Sequence, residues 1–193
     1  MLAAATFASV RSANRAARAA ERSLLAGLRP VLVPSRLEDP PEKILFADTH
    51  WVRAPGGQGT AEVTDEAVYL TISLRNVGNG IGVLHGWTFH PERLFSDTEH
   101  ADPGSFRRLS RDLYVPPGDV GFWQGAFREP GSPDFVAARD AVAGHRPMTV
   151  DLLYGDHEGG QRTISRFVLL PRNEGGWIAS VARHWNIDRP EPR

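Results

Sequence analysis

The pattern of hydrophobic and polar residues changes near residue 30. Before that point, alanines and leucines recur every three or four positions, which is the period of an α-helix. After it, short stretches alternate at every second residue, which is typical of β-strands. The pattern predicts a helical leader at residues 1–28, a β domain at residues 29–187 and a short C-terminal tail at residues 188–193.

The leader predicts an amphipathic helix over residues 5–26, because it is rich in alanine and reaches Gly27 and Pro30 only at its end. One stripe of this helix is weakly apolar, and another is basic. The apolar stripe comprises Val10, Ala13, Ala17, Ala20, Leu24 and Leu28, and the basic stripe comprises Arg11, Arg15, Arg18 and Arg22.

Several interpretations of the leader stay open. Its composition suits a mitochondrial transit peptide, and it is also compatible with a solvated helix that packs on the body or on a partner. The third interpretation is a membrane-proximal helix whose arginines face anionic lipid, or the end of a spanning helix that starts upstream. The apolar start is too short to span a bilayer, which takes about 20 apolar residues.

The body reads as a series of short strands. In "AVYLTISLRN" and "MTVDLLY" apolar residues alternate with polar ones, which predicts half-buried strands, and "KILFADTHWV" and "WIASVARHW" are further candidates. Turn signals separate these strands, and no repeating helix lies between them. The predicted fold class is therefore mainly β, an antiparallel Ig-like β-sandwich.

Two segments depart from this alternation, and a third contains a turn between two strands. "SPDFVAARDAVAG" predicts one short helix near residues 133–143, with Ser132 as its N-cap and Gly144 at its end. Residues 91–112 are polar and without period, which predicts a long surface loop. "DLLYGDHEGGQRTISRFVLL" predicts a β-hairpin whose turn is "DHEGG".

The glycine-rich stretch "YLTISLRNVGNGIGVLHGW" suggests a phosphate-binding loop at first sight. A dinucleotide-binding fingerprint has a third glycine at the position where this chain has Val83 or His85, depending on the register. In that fingerprint a helix follows the glycines, whereas here the following residues alternate as in a β-strand. Lys43 is the only lysine, so a P-loop is excluded. We interpret Gly78, Gly80 and Gly82 as the corner between two core strands, and Gly86 as a site of close packing or a bulge.

Composition and charge exclude several chemistries. The chain has no cysteine, which removes disulfides, thiolate metal ligands and cysteine nucleophiles. Residues 1–30 contain five arginines and one glutamate, which leaves 17 basic and 22 acidic side chains to the other 163 residues. An acidic body argues against nucleic-acid binding. No cofactor motif and no metal-ligand motif is present, and we expect neither group.

Candidate ligand-binding residues cluster at the predicted hairpin. The candidates are Asp156, His157, Glu158, Arg162, His184 and Trp185. They motivate an alternative function as an enzyme or small-ligand-binding domain with its site at residues 154–162. A second alternative is carbohydrate binding on exposed tryptophans, although aromatic residues in strands are more often part of the core.

Five stretches carry a resemblance to a family: "LLAGLRPVLVPSR", "LRNVGNGIGVLHGW", "RDLYVPPGDVGFWQGA", "DLLYGDHEGGQRTISRF" and "RHWNIDRP". They resemble a family of uncharacterised bacterial proteins that have an N-terminal membrane-associated helix and one small β-sandwich domain. The resemblance implies the fold and membrane attachment, and it implies no activity, substrate or catalytic residue. This chain departs from the family pattern because it lacks a full spanning segment.

The sequence favours a non-enzymatic binding or assembly module. Its leader is predicted to contact an anionic membrane surface or a membrane protein partner through Arg11, Arg15, Arg18 and Arg22. Arginines that follow an apolar segment mark the cytoplasmic side, so the body is expected there. A soluble cytoplasmic protein is the alternative localisation.

Overall fold

The computed structural model describes residues 2–188, with side chains from Val10 onward. Of the predicted C-terminal tail, only Asp188 lies in this range, and residues 189–193 lie outside it. The helices are α1 (Leu2–Gly27) and α2 (Pro133–Ala143), and a 3-10 turn spans Pro103–Ser105. The strands are β1 (Leu32–Pro34), β2 (Glu42–Leu45), β3 (Trp51–Ala54), β4 (Gln58–Val63), β5 (Val68–Asn76), β6 (Gly82–His90), β7 (Arg107–Val115), β8 (Val120–Phe127), β9 (Met148–Asp156), β10 (Arg162–Pro171) and β11 (Trp177–Asn186).

Nine strands form one curled antiparallel sheet. The strand order is β1-β5-β4-β11-β10-β9-β6-β7, and β8 pairs with β5. The curl brings β7 beside β8, so the two ends of the sheet meet around one core. The prediction of a mainly β, antiparallel domain with an N-terminal helix is confirmed. Core side chains include Leu70, Ile72, Trp123, Val150, Leu152 and Phe167.

The predicted short helix near residues 133–143 is confirmed as α2. The Ser132 hydroxyl accepts a hydrogen bond from the Phe135 amide at 3.3 Å, which supplies the N-cap, and Pro133 occupies the first turn. Phe135, Ala138 and Ala141 are buried in the core of the curled sheet. The predicted hairpin is also confirmed, since β9 and β10 pair from Gly155 and Arg162 onward.

Strand β5 is buried on both faces, whereas its alternation predicted a half-buried strand. The stretch "KILFADTHWV", predicted as one strand, instead forms β2, a turn with Thr49 at φ 65°, and β3. This β2–β3 hairpin packs on the outer side of β5 and covers Tyr69. The alternation does not reveal this burial, because the side chains on the second face of β5 are polar or amphipathic: Tyr69, Thr71 and Ser73.

Strand β6 contains the bulge that its glycine predicted. The register shifts between Leu84 and Gly86, and a Cβ on Gly86 would lie 2.9 Å from the Arg107 carbonyl oxygen. The bulge changes which residues face inward, so Leu84 and Trp87 both belong to the core. Gly86 is therefore a site of both close packing and a bulge.

The predicted surface loop over residues 91–112 is shorter than expected, because β7 begins at Arg107. The arginines and other polar side chains of β7 are mostly exposed, which hid its strand character from the hydrophobic pattern. The remaining segment, residues 91–106, lies on the outer side of β9, β10 and β11. There Phe106 packs with Leu153, Ile164 and Trp185.

Arg166 fixes this segment to the sheet. Its guanidinium is fully buried and forms two hydrogen bonds to the Asp151 carboxylate, at 2.8 and 2.7 Å. The remaining N–H groups donate hydrogen bonds to three backbone carbonyls of the segment, those of Phe95 at 2.9 Å, Thr98 at 2.8 Å and Glu99 at 3.3 Å. Five acceptors thus match the five donors of an arginine, which compensates for burying the charge.

We expect Arg166→Met to lower the free energy of unfolding by about 3 kcal/mol or more, because it leaves the buried Asp151 carboxylate without a cation. Urea denaturation measures this loss. The double variant D151L/R166M removes both charges and is expected to lose less than R166M alone. Trypsin should also cleave both variants faster at Arg93, since the segment loses its donors. An R166M protein as stable as the wild type would contradict this account.

Candidate functional site

The body leaves most of the leader helix uncovered. Every residue from Val10 to Leu24 is exposed, and the side chains of Val10 and Leu24 retain 53% and 65% of their accessible surface. The four predicted contact residues Arg11, Arg15, Arg18 and Arg22 are among them. In the part of the chain that the structure describes, no helix has the length and apolarity needed to cross a bilayer.

The glycine-rich corner is the socket that receives the end of this helix. A Cβ on Gly80 would lie 1.7 Å from the Leu28 carbonyl oxygen, and one on Gly78 would lie 2.3 Å from that of Arg29. The backbone amide of Asn79 donates a hydrogen bond to the backbone carbonyl of Arg29 at 3.2 Å, and the amide of Val77 donates to the carbonyl of Val31 at 2.8 Å. The corner joins β5 to β6 as predicted, and its glycines are needed because another backbone approaches so closely.

The side chain of Asn76 connects the parts of this socket. Its oxygen accepts hydrogen bonds from the amides of Val31 at 3.1 Å and Gly78 at 3.0 Å. Its nitrogen donates to the carbonyls of Gly80 at 2.7 Å and Val115 at 2.9 Å. The residue is fully buried, so all of its side-chain hydrogen-bonding capacity is satisfied within the protein.

The predicted hairpin residues have different local partners. Asp156 is buried and closes the turn by accepting from the Gly160 amide at 2.9 Å and from Gln161 Nε2 at 3.2 Å. Gln161 Nε2 also donates to the Leu25 carbonyl, which ties the turn to the leader. At the exposed tip, His157 Nε2 lies 3.1 Å from Glu158 Oε1.

Arg162 contacts the start of the predicted tail. Its Nη2 donates to Asp188 Oδ1 at 2.6 Å, and its backbone amide donates to Asp188 Oδ2 at 2.7 Å. The hydrogen bond and the charge of Asp188 raise the pKa of the Arg162 guanidinium, and the same pairing lowers the pKa of the Asp188 carboxyl. Arg162 therefore anchors the end of the domain.

His184 and Trp185 point to different surroundings. His184 Nδ1 lies 2.6 Å from the hydroxyl of Ser165, which is itself 2.9 Å from the Tyr154 hydroxyl. Burial, together with nearby Arg29, lowers the pKa of the His184 imidazole. Ser165 is fully buried, so this serine–histidine contact is closed to a substrate. Trp185 is also buried, between the guanidinium groups of Arg166 and Arg183, whose carbons lie 4.9 and 5.0 Å from its ring.

Four of the five tryptophans are part of the protein interior. Trp87, Trp123, Trp177 and Trp185 are at most 5% exposed, whereas Trp51 on β3 is 60% exposed. A sugar-binding platform built from several exposed tryptophans is therefore not available, and Trp51 is the one surface indole.

A polar cleft that the sequence did not indicate lies beside the β2–β3 hairpin. Its volume is about 690 Å³, and its lining includes Asp48, His50, Tyr69 and Arg128. Asp48 Oδ2 accepts from the Tyr69 hydroxyl at 2.8 Å and from Arg128 Nε at 2.9 Å. The ring of His50 stacks on Tyr69 with centroids 4.1 Å apart.

Asp48 is paired within this cleft, whereas Asp65 and Glu66 add negative charge to its lining. Burial acts to raise the pKa of the Asp48 carboxyl, but the hydrogen bonds from Arg128 and Tyr69 outweigh it and hold the pKa below its usual value. Burial and the neighbouring Asp48 raise the pKa of the Tyr69 hydroxyl. His50 Nε2 lies 2.8 Å from Glu62 Oε2. Among residues 10–188, no group of three or more histidine and carboxylate side chains is arranged to hold a metal ion.

Comparison of the chain with protein-family models and with curated proteins finds no match.

The socket predicts a large effect of one added methyl group. Gly80→Ala should lower the free energy of unfolding by about 2 kcal/mol, because its Cβ would overlap the Leu28 carbonyl. Gly131→Ala is the matched control, since no atom lies within 4 Å of a Cβ there. Urea denaturation of both variants measures the difference. Equal stability of G80A and G131A would show that the leader does not depend on this close approach.

Proposed function

We propose that this protein is a non-enzymatic binding or assembly module, of the kind that Ig-like β domains provide, held at an anionic membrane surface by its N-terminal helix. The observation that carries the proposal is the exposure of every residue from Val10 to Leu24. Helices draw most of their stability from packing, and residues 10–24 of this helix pack on nothing within the described chain that buries them. A covering surface would supply that packing.

The arrangement of charges favours an anionic surface. At about 100° per residue, Arg11, Arg15, Arg18 and Arg22 fall within an arc of about 60°. The stripe that contains Val10 and Leu24 lies on a different side and is rich in alanine, so it adds little hydrophobic anchoring. The cations therefore carry most of the expected affinity, at about 1 kcal/mol for each arginine near an anionic leaflet.

The socket supports the same function. Because the helix end is held by Asn76, Gly80 and Gln161, a membrane-bound leader would not be a loose tether. The body would stay close to the surface on which the helix lies. We infer that this surface is the cytoplasmic leaflet, because it is the leaflet that carries anionic lipid.

Vesicle co-sedimentation of the full chain tests this proposal. We expect binding to phosphatidylcholine vesicles that contain phosphatidylglycerol, weaker binding as salt is added, and little binding to phosphatidylcholine alone. R15Q/R18Q/R22Q should reduce partitioning by about 100-fold, from three contributions of about 1 kcal/mol. Glutamine keeps the helix propensity of these positions.

The control variant R36Q/R108Q/R139Q removes three exposed arginines from the body instead. It should partition like the wild type if the leader is the contact. Equal losses in the two triple variants would attribute binding to net charge alone. Partitioning of the wild type that does not depend on phosphatidylglycerol would contradict the proposal outright.

A further inference from the structure

The outer face of the β2–β3 hairpin has an unusual composition. The register pairs Lys43 with Arg53 and Leu45 with Trp51. Alternation along the two strands turns these four residues outward, while Ile44, Val52 and Ala54 are buried against the sheet. We call Lys43, Leu45, Trp51 and Arg53 the hairpin face. It combines two cations, an indole and a leucine, without an acidic side chain.

We propose that the hairpin face is a second membrane-contact surface, at which Trp51 enters the headgroup region of an anionic bilayer between Lys43 and Arg53. This inference rests on the proposed function and extends it from the leader to the β domain. It assigns a role to the one tryptophan that the core does not use.

The exposure of Trp51 supports a membrane contact at the hairpin face. An indole has a large apolar surface and one N–H donor, which makes it suited to a boundary between an apolar phase and water. Tryptophan is accordingly enriched where proteins meet the membrane interface. Trp51 is 60% exposed while the other four tryptophans are at most 5% exposed, so its position is not explained by packing within the chain.

The opposed cations Lys43 and Arg53 favour an anionic partner at the hairpin face. Like charges directly across a pair of antiparallel strands destabilise that pair. Neither Lys43 nor Arg53 has a side-chain ion-pair partner among the described residues. Phosphate groups at a bilayer surface would remove the repulsion. A shallow, mainly apolar depression of about 410 Å³, lined by Lys43, Trp51, Val52 and Arg53, lies next to the indole.

The size of the face favours a bilayer over a protein partner. Four side chains are far fewer than the roughly 20 or more residues that one side of a stable protein interface needs. A bilayer contact can be small, because the leader supplies a second contact on the same chain and raises the effective concentration of the hairpin at the surface. Two contacts would also fix which side of the β domain faces the membrane.

Tryptophan fluorescence of the full chain on vesicles tests this inference. The emission difference between the wild type and W51F isolates Trp51 from the four buried indoles. We expect this difference spectrum to shift to the blue with phosphatidylglycerol-containing vesicles, and to remain unchanged with phosphatidylcholine vesicles or inorganic phosphate alone. W51A should weaken partitioning by about tenfold, and K43Q/R53Q by about 30-fold, from two contributions of about 1 kcal/mol.

Matched controls separate the hairpin face from general effects. L37A removes another exposed apolar side chain, 62% exposed, and R108Q/R139Q removes two other exposed arginines. Both should partition like the wild type. Unfolding midpoints no lower than that of the wild type would show that W51A and K43Q/R53Q are folded, as expected for outward-facing residues.

The outcomes distinguish the two proposals. If wild-type protein binds vesicles through the leader arginines but Trp51 emission does not shift, the hairpin face is not a membrane contact and the proposed function stands. If R15Q/R18Q/R22Q at saturating lipid still shows the shift, the hairpin contact is independent of those arginines. A shift that appears with phosphate or with an acidic protein, and not with vesicles, would overturn the membrane assignment. Absence of any vesicle binding would overturn both proposals.

Discussion

The buried amide of Asn76 is the contact on which the relation between the leader and the β domain depends. Its four side-chain hydrogen bonds join the segment after α1, the corner between β5 and β6, and the end of β7. The glycines around it allow the backbone of residues 28–31 to approach closely enough to use those bonds. The glycine-rich stretch thus positions the exposed helix. Its glycines are spaced so that the backbone of residues 28–31 can contact them.

Most of the chemically suggestive groups in the body already have partners inside the protein. Arg166 and Asp151 hold the segment 91–106, Asp156 closes a turn, and Arg162 binds Asp188. Such paired groups stabilise the fold, because an unpaired charge or polar group in the interior is costly. Residues 10–24 of the leader and Lys43, Trp51 and Arg53 of the hairpin face are instead exposed. The proposed contacts with other molecules therefore lie there.

The sequence predicted those structural elements that are determined by residues close together in the chain. Ser132, Pro133 and Gly144 marked α2, the alternation in β9 and β10 marked their hairpin, and Gly86 marked its bulge. The strand order of the curled sheet was not predictable in this way, because β6 pairs with β9 and β4 pairs with β11, and these partners are far apart in the chain. The same holds for the polar cleft, where Asp48 and Arg128 are brought together by the β2–β3 hairpin and the end of β8. The sequence likewise does not distinguish Trp51, which is exposed, from the other four tryptophans, which are buried.

The central claim is that the leader and the hairpin face contact an anionic bilayer while the rest of the β domain keeps its structure. Hydrogen exchange of the full chain, measured by mass spectrometry with and without phosphatidylglycerol-containing vesicles, tests this claim most directly. The account predicts slower exchange in peptides from residues 2–28 and 42–54, and unchanged exchange in residues 91–106 and 148–171. Unchanged exchange in the leader, or protection confined to the turn at residues 154–162, would contradict it.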